Sequence, residues 1–201
     1  MKYFKERNEI ILDKEINELD KFVIDFCSLL DNYVLVSGYV SILFGRSRAT
    51  EDVDLLVPEI NEEDFEKLWK KIYDNGFWCI NTPDSKEAFG MLKEFAIRFA
   101  KEKAVPNMEF KMIKKDFDRY SFENKIKVII NSKELFVSPI EMQIAFKLFL
   151  AADGIEEELR VDKDIEDANH LYNLFKDKLN NNEFLKIINK MGINERLKLL
   201  K

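Results

Sequence analysis

The chain has 201 residues, of which 46% are apolar and 12% aromatic, enough for one globular domain with a hydrophobic core, or for a domain with a helical appendage. The net charge of −6 excludes a globally basic nucleic-acid-binding protein, and no apolar stretch reaches membrane-spanning length. A single histidine and the absence of a CxxC motif exclude the common zinc sites, so a metal ligand set would consist of carboxylates holding a hard cation. The charged N-terminus does not resemble a signal peptide, and both cysteines lie in apolar surroundings. We therefore expect two buried thiols in a cytoplasmic protein.

The first 80 residues predict alternating helices and strands. The apolar spacing and the Gly, Asn and Pro punctuation set the element ends. The predicted helices are Asp13 to Leu30 with Asp13 as N-cap, Tyr39 to Phe44 ended by Gly45, and Asn61 to a stop at Asn75–Gly76; the predicted strands are Tyr33 to Ser37, Asp52 to Val57 and Phe77 to Ile80.

The middle of the chain predicts further strands, and the last third predicts helices. After a turn cluster at Asn81 to Ser85, the predicted strands are Phe95 to Ala100, Asn107 to Ile113, Lys125 to Ile130 and Glu134 to Val137. Ser138 and Glu141 form the pattern of a capping box for a helix to about Ala152. A turn at Asp153–Gly154, a helix over Lys163 to Leu174 and a final helical pair over Glu183 to Leu200 follow. We expect an α/β (α+β) core over residues 1–137, with a mixed sheet flanked by helices, and a helical C-terminal subdomain over residues 138–201 packed on it.

Two carboxylates stand two residues apart on a predicted strand. Because alternate side chains of a strand share a face, Asp52 and Asp54 would point the same way, with Val53 and Leu55 on the other face. Two such carboxylates repel each other and favour a bound cation. Mg²⁺ is usually held by one or two carboxylates together with substrate phosphates, so the pair predicts an Mg²⁺ (or Mn²⁺) site.

A strand-to-helix corner precedes this pair. Ser37 and Gly38 open the second predicted helix, where backbone N–H groups and the serine hydroxyl can receive phosphate. Arg46 and Arg48 are candidates for neutralising phosphate oxygens, and Thr50 for orienting the loop. Metal and phosphate ligands are thus predicted on one strand–helix–strand unit.

The run LVSGYVSILFGRSRATEDVDLLV (residues 35–57) resembles the nucleotidyltransferase superfamily that shares the polymerase-beta fold. That superfamily combines a Gly-Ser corner with Asp-x-Asp on the following strand. The R-x-T-x-D-x-D spelling, from Arg48 to Asp54, is most similar to the AbiEii-type branch, which includes toxins of toxin–antitoxin systems. The resemblance implies a nucleotidyltransferase-like fold, an NTP such as ATP as substrate, magnesium dependence, and a cognate antitoxin as a candidate partner.

The same resemblance assigns roles in the helical third, on a looser match over residues 138–171. It makes Lys147 a triphosphate contact and Asp164 a supporting polar residue of the active site, with Asp167 one helical turn from Asp164 on the same face. The chain departs from the family pattern in the order Ser37-Gly38. No clear match exists for a third metal-binding carboxylate, and the best candidate is Glu109, which the strand alternation places beside Lys111.

Each of these residues also has a purely structural interpretation. Asp52 and Asp54 would be a strand-edge pair, Arg48 a loop arginine paired with nearby acids, and Lys147 a solvated helix residue. Asp164 would be a stabiliser at a helix start, and His170 a structural histidine. Between Lys93 and Lys133 there are 11 basic and 6 acidic residues. This excess predicts either an RNA-binding face or a solvated lysine surface.

Three functions fit these observations. The first is a metal-dependent nucleotidyltransferase that moves a nucleoside monophosphate from an NTP to an acceptor hydroxyl on tRNA, a protein or a small molecule. The second is a catalytically degenerate binding or regulatory module with the same fold, suggested by the missing third acid. A nucleotide-sugar-dependent glycosyltransferase ranks third, because its D-x-D does not follow a Ser-Gly corner at this spacing.

Overall fold

The computed structural model describes residues 1–151 and 163–201, which form two compact units. The first unit comprises Met1–Tyr39 and Ala49–Ser138, and the second comprises Val40–Arg48 and Pro139–Lys201. The predicted boundary after residue 137, between an α/β core and a helical C-terminal subdomain, stays a prediction. The predicted turn at Asp153–Gly154 lies outside the described residues.

The first unit contains a mixed sheet, to which the described residues contribute nine strands in the order β1-β2-β8-β9-β3-β4-β7-β6-β5. The pairs β2–β8, β3–β9 and β4–β7 are parallel, and the remaining neighbours are antiparallel. The strands are β1 (Lys2–Phe4), β2 (Glu9–Leu12), β3 (Val34–Val36), β4 (Asp52–Val57), β5 (Trp78–Cys79), β6 (Ile97–Ala100), β7 (Asn107–Met112), β8 (Ile126–Ile130) and β9 (Lys133–Val137).

Helices flank this sheet, as predicted for an α/β fold. In the first unit they are α1 (Glu18–Cys27), α3 (Glu62–Asp74), α4 (Ser85–Glu94) and α5 (Asp116–Glu123), while α2 (Gly38–Leu43) begins in the first unit and continues in the second. Aromatic rings join helices to strands on one face: Phe26 of α1 lies 5.6 Å from Phe99 of β6, and Trp69 of α3 also lies 5.6 Å from Phe99. Residues of α1 and α3 therefore cover the face of the sheet that carries the apolar side chains of β6 and β7.

The second unit is helical. It contains α6 (Ile140–Leu150), α7 (Lys163–Phe175), α8 (Asn181–Met191) and a 3₁₀ helix over Asn194–Leu199. Gly192, with φ of 69°, ends α8 in the left-handed conformation that glycine adopts without steric cost. Phe44, from the segment before β4, packs edge-on against Phe175 of α7 with ring centroids 5.0 Å apart.

The start of α1 differs from the sequence prediction. Asn17, and not Asp13, caps α1: its Oδ1 accepts a hydrogen bond from the Asp20 N–H at 2.8 Å, and the Asp20 carboxylate accepts one from the Asn17 N–H. The buried Asp20 carboxylate also accepts a hydrogen bond from the Tyr39 hydroxyl and pairs with Lys14, and these contacts hold Asp20 in the first turn of the helix. Local spacing alone allows either start.

The predicted capping box at Ser138 and Glu141 is wrong. Pro139 takes the N-cap position of α6 and makes no side-chain capping bond. The Ser138 hydroxyl donates to the Ser121 hydroxyl oxygen, and the Glu141 carboxylate accepts from the Asn180 N–H. Both side chains thus have partners distant in sequence, which local spacing does not reveal.

Two strands and two α-helices in the described part of the first unit are not anticipated by the sequence analysis. These are β1, β2, α4 and α5. The short strand β2 pairs in parallel with β8, more than 100 residues later, and α4 begins at an Asp84 N-cap inside the stretch interpreted as a turn cluster. Among the described residues, no helix combines the length and apolarity needed to cross a bilayer.

Candidate functional site

The two aspartates of β4 lie on one face of the sheet, as predicted. Both are half-buried, whereas Val53 and Leu55 between and after them are fully buried on the opposite face. The Thr50 hydroxyl donates to the Asp52 carbonyl at 2.8 Å and so orients the entry into β4. A pair of carboxylates with a common direction is therefore present at the beginning of this strand.

The Ser37–Gly38 corner adjoins the same end of β4. β3 runs antiparallel to β4, with Val36 opposite Asp54, and Gly38 of the corner is the first residue of α2. Ser37 has φ of 62°, the left-handed region in which a non-glycine residue is strained. A strained turn at this point brings the chain directly from the strand next to Asp54 into a helix start.

The neighbouring strand β7 adds a third carboxylate and a lysine. Glu109 is the register partner of Asp54 across the parallel β4–β7 pair. The Lys111 ammonium lies 2.8 Å from Asp54 Oδ1 and 2.7 Å from Glu109 Oε1, and Arg98 of β6 lies 3.3 Å from Glu109 Oε2. Acidic and basic groups thus alternate across three strands: Asp54, Lys111, Glu109, Arg98.

This arrangement changes the proton affinities of its members. Burial alone would lower the pKa of Lys111, but the carboxylates of Asp54 and Glu109 outweigh it and raise that pKa above its usual value. Burial alone would raise the pKa of Glu109, but the positive charges of Lys111 and Arg98 outweigh it and lower that pKa below its usual value. Glu109 and Lys111 are therefore both charged at neutral pH.

Three further predicted site residues belong to the second unit. The Lys147 side chain is only 2% exposed, and its ammonium lies 2.6 Å from Asp164 Oδ1 and 3.0 Å from Asp167 Oδ2. Arg48 Nη1 lies 2.6 Å from the same Asp167 oxygen. Asp164 and Asp167 share one face of α7, as predicted from their spacing. Lys147, Arg48 and Asp164 are thus brought together, around a buried carboxylate.

Arg46 and Glu166 complete this network. Arg46 pairs with the Glu166 carboxylate, and its Nε lies 3.6 Å from Asp167 Oδ1. The network then contains three basic and three acidic side chains: Arg46, Arg48 and Lys147 with Asp164, Glu166 and Asp167. His170 Nε2 lies 3.0 Å from the Phe44 carbonyl, which agrees with a structural histidine.

The donor chemistry of β4 fits a hard divalent cation. Asp52 and Asp54 offer carboxylate oxygens on one half-buried face, the kind of ligand that Mg²⁺ takes from proteins. Glu109 is occupied by Lys111 and Arg98. Over residues 1–151 and 163–201, no group of three or more His, Cys, Asp or Glu side chains is arranged to hold a metal ion.

The sequence did not reveal the contacts of four residues in these clusters: Lys111, Arg98, Arg46 and Asp167. Strand alternation predicts Lys111 beside Glu109, but its contact with Asp54 depends on the pairing of β4 with β7. The helical spacing of Asp164 and Asp167 was the available signal for Asp167. No comparable signal marks Arg98.

No protein-family model and no curated protein sequence matches the chain. Solved structures do resemble it. An antigenic nucleotidyltransferase-like protein from Paracoccidioides brasiliensis superimposes with a TM-score of 0.53 and 15% identity, over 89% of each chain. ANT(2″)-Ia in complex with adenylyl-2″-tobramycin gives a TM-score of 0.54 and 11% identity, over 85% of this chain and 95% of that one.

A third structure agrees with these two. A proposed nucleotidyltransferase from H. pylori gives a TM-score of 0.51 and 19% identity, over 90% of this chain and 77% of that one. Identities this low establish a shared fold and no more. The mixed sheet with its flanking helices is therefore a nucleotidyltransferase-like fold.

Proposed function

We propose that the protein is a metal-dependent nucleotidyltransferase. The observation that carries this proposal is the common direction of Asp52 and Asp54 on β4, next to the Ser37–Gly38 corner, in a nucleotidyltransferase-like fold. Fold alone does not define an activity, but a carboxylate pair beside a strand-to-helix corner supplies the two ligand types that an NTP complex requires.

Asp52 and Asp54, with Glu109 as a third candidate, would hold Mg²⁺ or Mn²⁺. When bound, such a cation neutralises the negative charge of the phosphates and of the departing pyrophosphate. Ser37 and Gly38 would bind phosphate oxygens through their hydroxyl and backbone N–H groups, and Thr50 would orient the strand entry through its bond to Asp52.

The roles of the second-unit residues are also proposed. Arg48 is the candidate for a triphosphate contact. The resemblance implies the same role for Lys147, for which we propose a positioning role instead, with Asp164 in support of Lys147. The 2.6 Å bond between Lys147 and Asp164 supports the last of these roles. The low exposure of Lys147 favours an electrostatic, positioning contribution over direct phosphate contact.

The proposed reaction is an in-line displacement. The acceptor hydroxyl oxygen forms a bond to the α-phosphorus of the NTP while the bond between that phosphorus and the α–β bridging oxygen breaks. Pyrophosphate leaves with the bonding electron pair, and the hydroxyl proton passes to solvent or to a nearby base. The products are a nucleotidylated acceptor and pyrophosphate.

The acceptor is a hydroxyl on RNA, on a protein or on a small molecule. The R-x-T-x-D-x-D spelling favours the AbiEii-type branch, a toxin–antitoxin role, a cognate antitoxin and a tRNA or protein acceptor. The likeness to ANT(2″)-Ia bound to adenylyl-2″-tobramycin favours a small-molecule acceptor.

Buried free thiols at Cys27 and Cys79 support a cytoplasmic setting. We also propose residues 138–201 as the helical C-terminal subdomain.

Label transfer tests the proposal. The protein is incubated with each α-labelled NTP, Mg²⁺ or Mn²⁺, and total cellular RNA, total protein or a panel of small hydroxyl compounds. We expect labelling by the wild-type chain and by Asp25→Asn, a surface aspartate of the same unit, and none by Asp54→Asn. Labelling that persists in Asp54→Asn would contradict the metal assignment.

A binding module with the same fold is the second candidate. It is favoured by the pairing of Glu109 with Lys111 and Arg98, which leaves no three-carboxylate group among the described residues. Calorimetry separates the two functions. Mg²⁺-dependent NTP binding supports the enzyme, whereas no binding of nucleotide or metal at millimolar concentration supports the module.

A further inference from the structure

We propose that Lys111 is a built-in counter-cation of the candidate metal site: its ammonium joins Asp54 to Glu109 when no divalent cation is bound, and it gives up Asp54 when one binds. This inference rests on the proposed function, because it takes Asp54 as a metal ligand. It adds that the metal affinity is set by competition with a residue of the chain itself.

The contacts place the lysine charge where a cation would be held. Lys111 Nζ lies within 3 Å of one oxygen of Asp54 and one of Glu109, at 2.8 and 2.7 Å. These two carboxylates are register partners on adjacent parallel strands. Without a positive charge between them, two half-buried carboxylates at this spacing would repel each other.

The Asp54 carboxylate cannot pair with both cations at full strength. A divalent ion on Asp54 would stand within a few ångströms of the ammonium, and two positive charges at that distance repel strongly at a partly buried site. Lys111 is the group able to move, because its flexible side chain is 36% exposed whereas the side chains of Asp54 and Glu109 are 20% and 13% exposed.

Glu109 remains paired after such a movement. It keeps its own contact with Lys111 and is also contacted by Arg98 at 3.3 Å. Release of Asp54 therefore breaks one ion pair and leaves no buried carboxylate without a positive partner. This asymmetry makes Asp54, and not Glu109, the carboxylate that Lys111 gives up.

A second lysine of the same unit provides a matched control. Lys127 of β8 also joins two carboxylates, with Nζ 3.0 Å from Glu9 and 3.5 Å from Glu134, and its side chain is 32% exposed. Neither partner is a proposed metal ligand. Removal of the Lys127 charge reproduces the loss of a bridging lysine without touching the candidate site.

Mn²⁺ binding without nucleotide tests the inference, measured by electron paramagnetic resonance of free Mn²⁺ and by calorimetry. Wild type, Lys111→Met, Lys111→Arg, Lys127→Met and Asp54→Asn are compared at one pH and salt concentration. We expect Lys111→Met to bind Mn²⁺ at least about tenfold more tightly than wild type, since a competing charge is gone. Lys111→Arg, which keeps the charge, should bind Mn²⁺ no more tightly than wild type. Lys127→Met should have the Mn²⁺ affinity of wild type, and Asp54→Asn should lose Mn²⁺ binding.

A measurement on the wild-type protein makes the test independent of variant folding. The ammonium resonance of Lys111, followed by ¹⁵N-detected NMR, should shift as Mg²⁺ is added, while that of Lys127 should not. Unchanged or weaker Mn²⁺ binding by Lys111→Met, or a Lys111 resonance indifferent to Mg²⁺, would overturn the inference if wild type shows Asp54-dependent binding. Absence of any Asp54-dependent binding in wild type would overturn it together with the proposed metal site.

Discussion

The Lys147 ammonium lies 2.6 Å from Oδ1 of Asp164, on a different helix of the same helical unit. The resemblance at the sequence level had assigned both residues to one active site, and the structure shows that they are in direct contact. The contact belongs to a larger network around the fully buried carboxylate of Asp167. Lys147 therefore contributes to the stability of this unit, whatever it contributes to phosphate binding.

Removal of the Lys147 charge should destabilise the protein substantially. Lys147→Met leaves Asp167 with fewer positive partners in a buried position, and breaking a buried ion pair on one side costs about 3 kcal/mol. Urea unfolding measures the change in the free energy of unfolding. Lys186→Met is the control, because Lys186 is exposed and its pair with Glu183 is at the surface. A loss below about 1 kcal/mol for Lys147→Met would show that the network is no stronger than an exposed pair.

The stability of the protein should depend on the Cys27 thiol at high pH. Burial raises the pKa of this thiol well above its usual 9.0, and a hydrogen bond with Tyr33 offsets only part of the shift. The folded state thus holds the proton more tightly than the unfolded state. The resulting stability is fully present below pH 9 and declines as the pH rises above it.

Comparison with Cys27→Ala isolates this effect. The difference in unfolding free energy between wild type and Cys27→Ala should be constant from pH 7 to 8. Above pH 9 it should shift against wild type by up to about 1.4 kcal/mol per pH unit. Denaturant unfolding at closely spaced pH values provides the measurement. A difference that stays flat to pH 10.5 would show that the thiol titrates alike in both states.

The protein should be more stable with glycine than with alanine at position 37. Both substitutions remove the hydroxyl, so their comparison isolates the backbone. At φ of 62° a Cβ atom is strained and glycine is not, and the left-handed conformation costs a non-glycine residue about 1 kcal/mol. We expect Ser37→Gly to exceed Ser37→Ala in unfolding free energy by that amount. Equal stabilities would indicate that this corner relaxes to another backbone conformation.

Helix α1 should depend on Asn17 and not on Asp13. Asn17→Ala removes the capping oxygen that accepts the Asp20 N–H, and loss of such a cap costs about 1 kcal/mol. Asp13→Ala should change stability by less than about 0.5 kcal/mol, because Asp13 makes no capping contact in the described structure. Thermal unfolding of both variants measures the contrast. The reverse order would restore the start predicted from local spacing.

Local periodicity determined much of the candidate site. The two-residue repeat of a strand predicted that Asp52 and Asp54 point to the same side of their strand, and that Glu109 and Lys111 point to the same side of theirs. The helical repeat predicted the same for Asp164 and Asp167. Each of these relationships depends only on backbone geometry within one element, and each is present in the structure.

The tertiary structure decided which elements meet. The contact of Lys111 with Asp54 joins residues 57 positions apart, and it exists because β7 pairs in parallel with β4. Contacts formed on folding also decided three other features. These are the partners of Ser138 and Glu141, the start of α1 after Asn17, and the pairing of β2 with β8. Strand pairing and buried ion pairs depend on desolvation and on neighbours brought together by folding, and no repeat within a single segment encodes either.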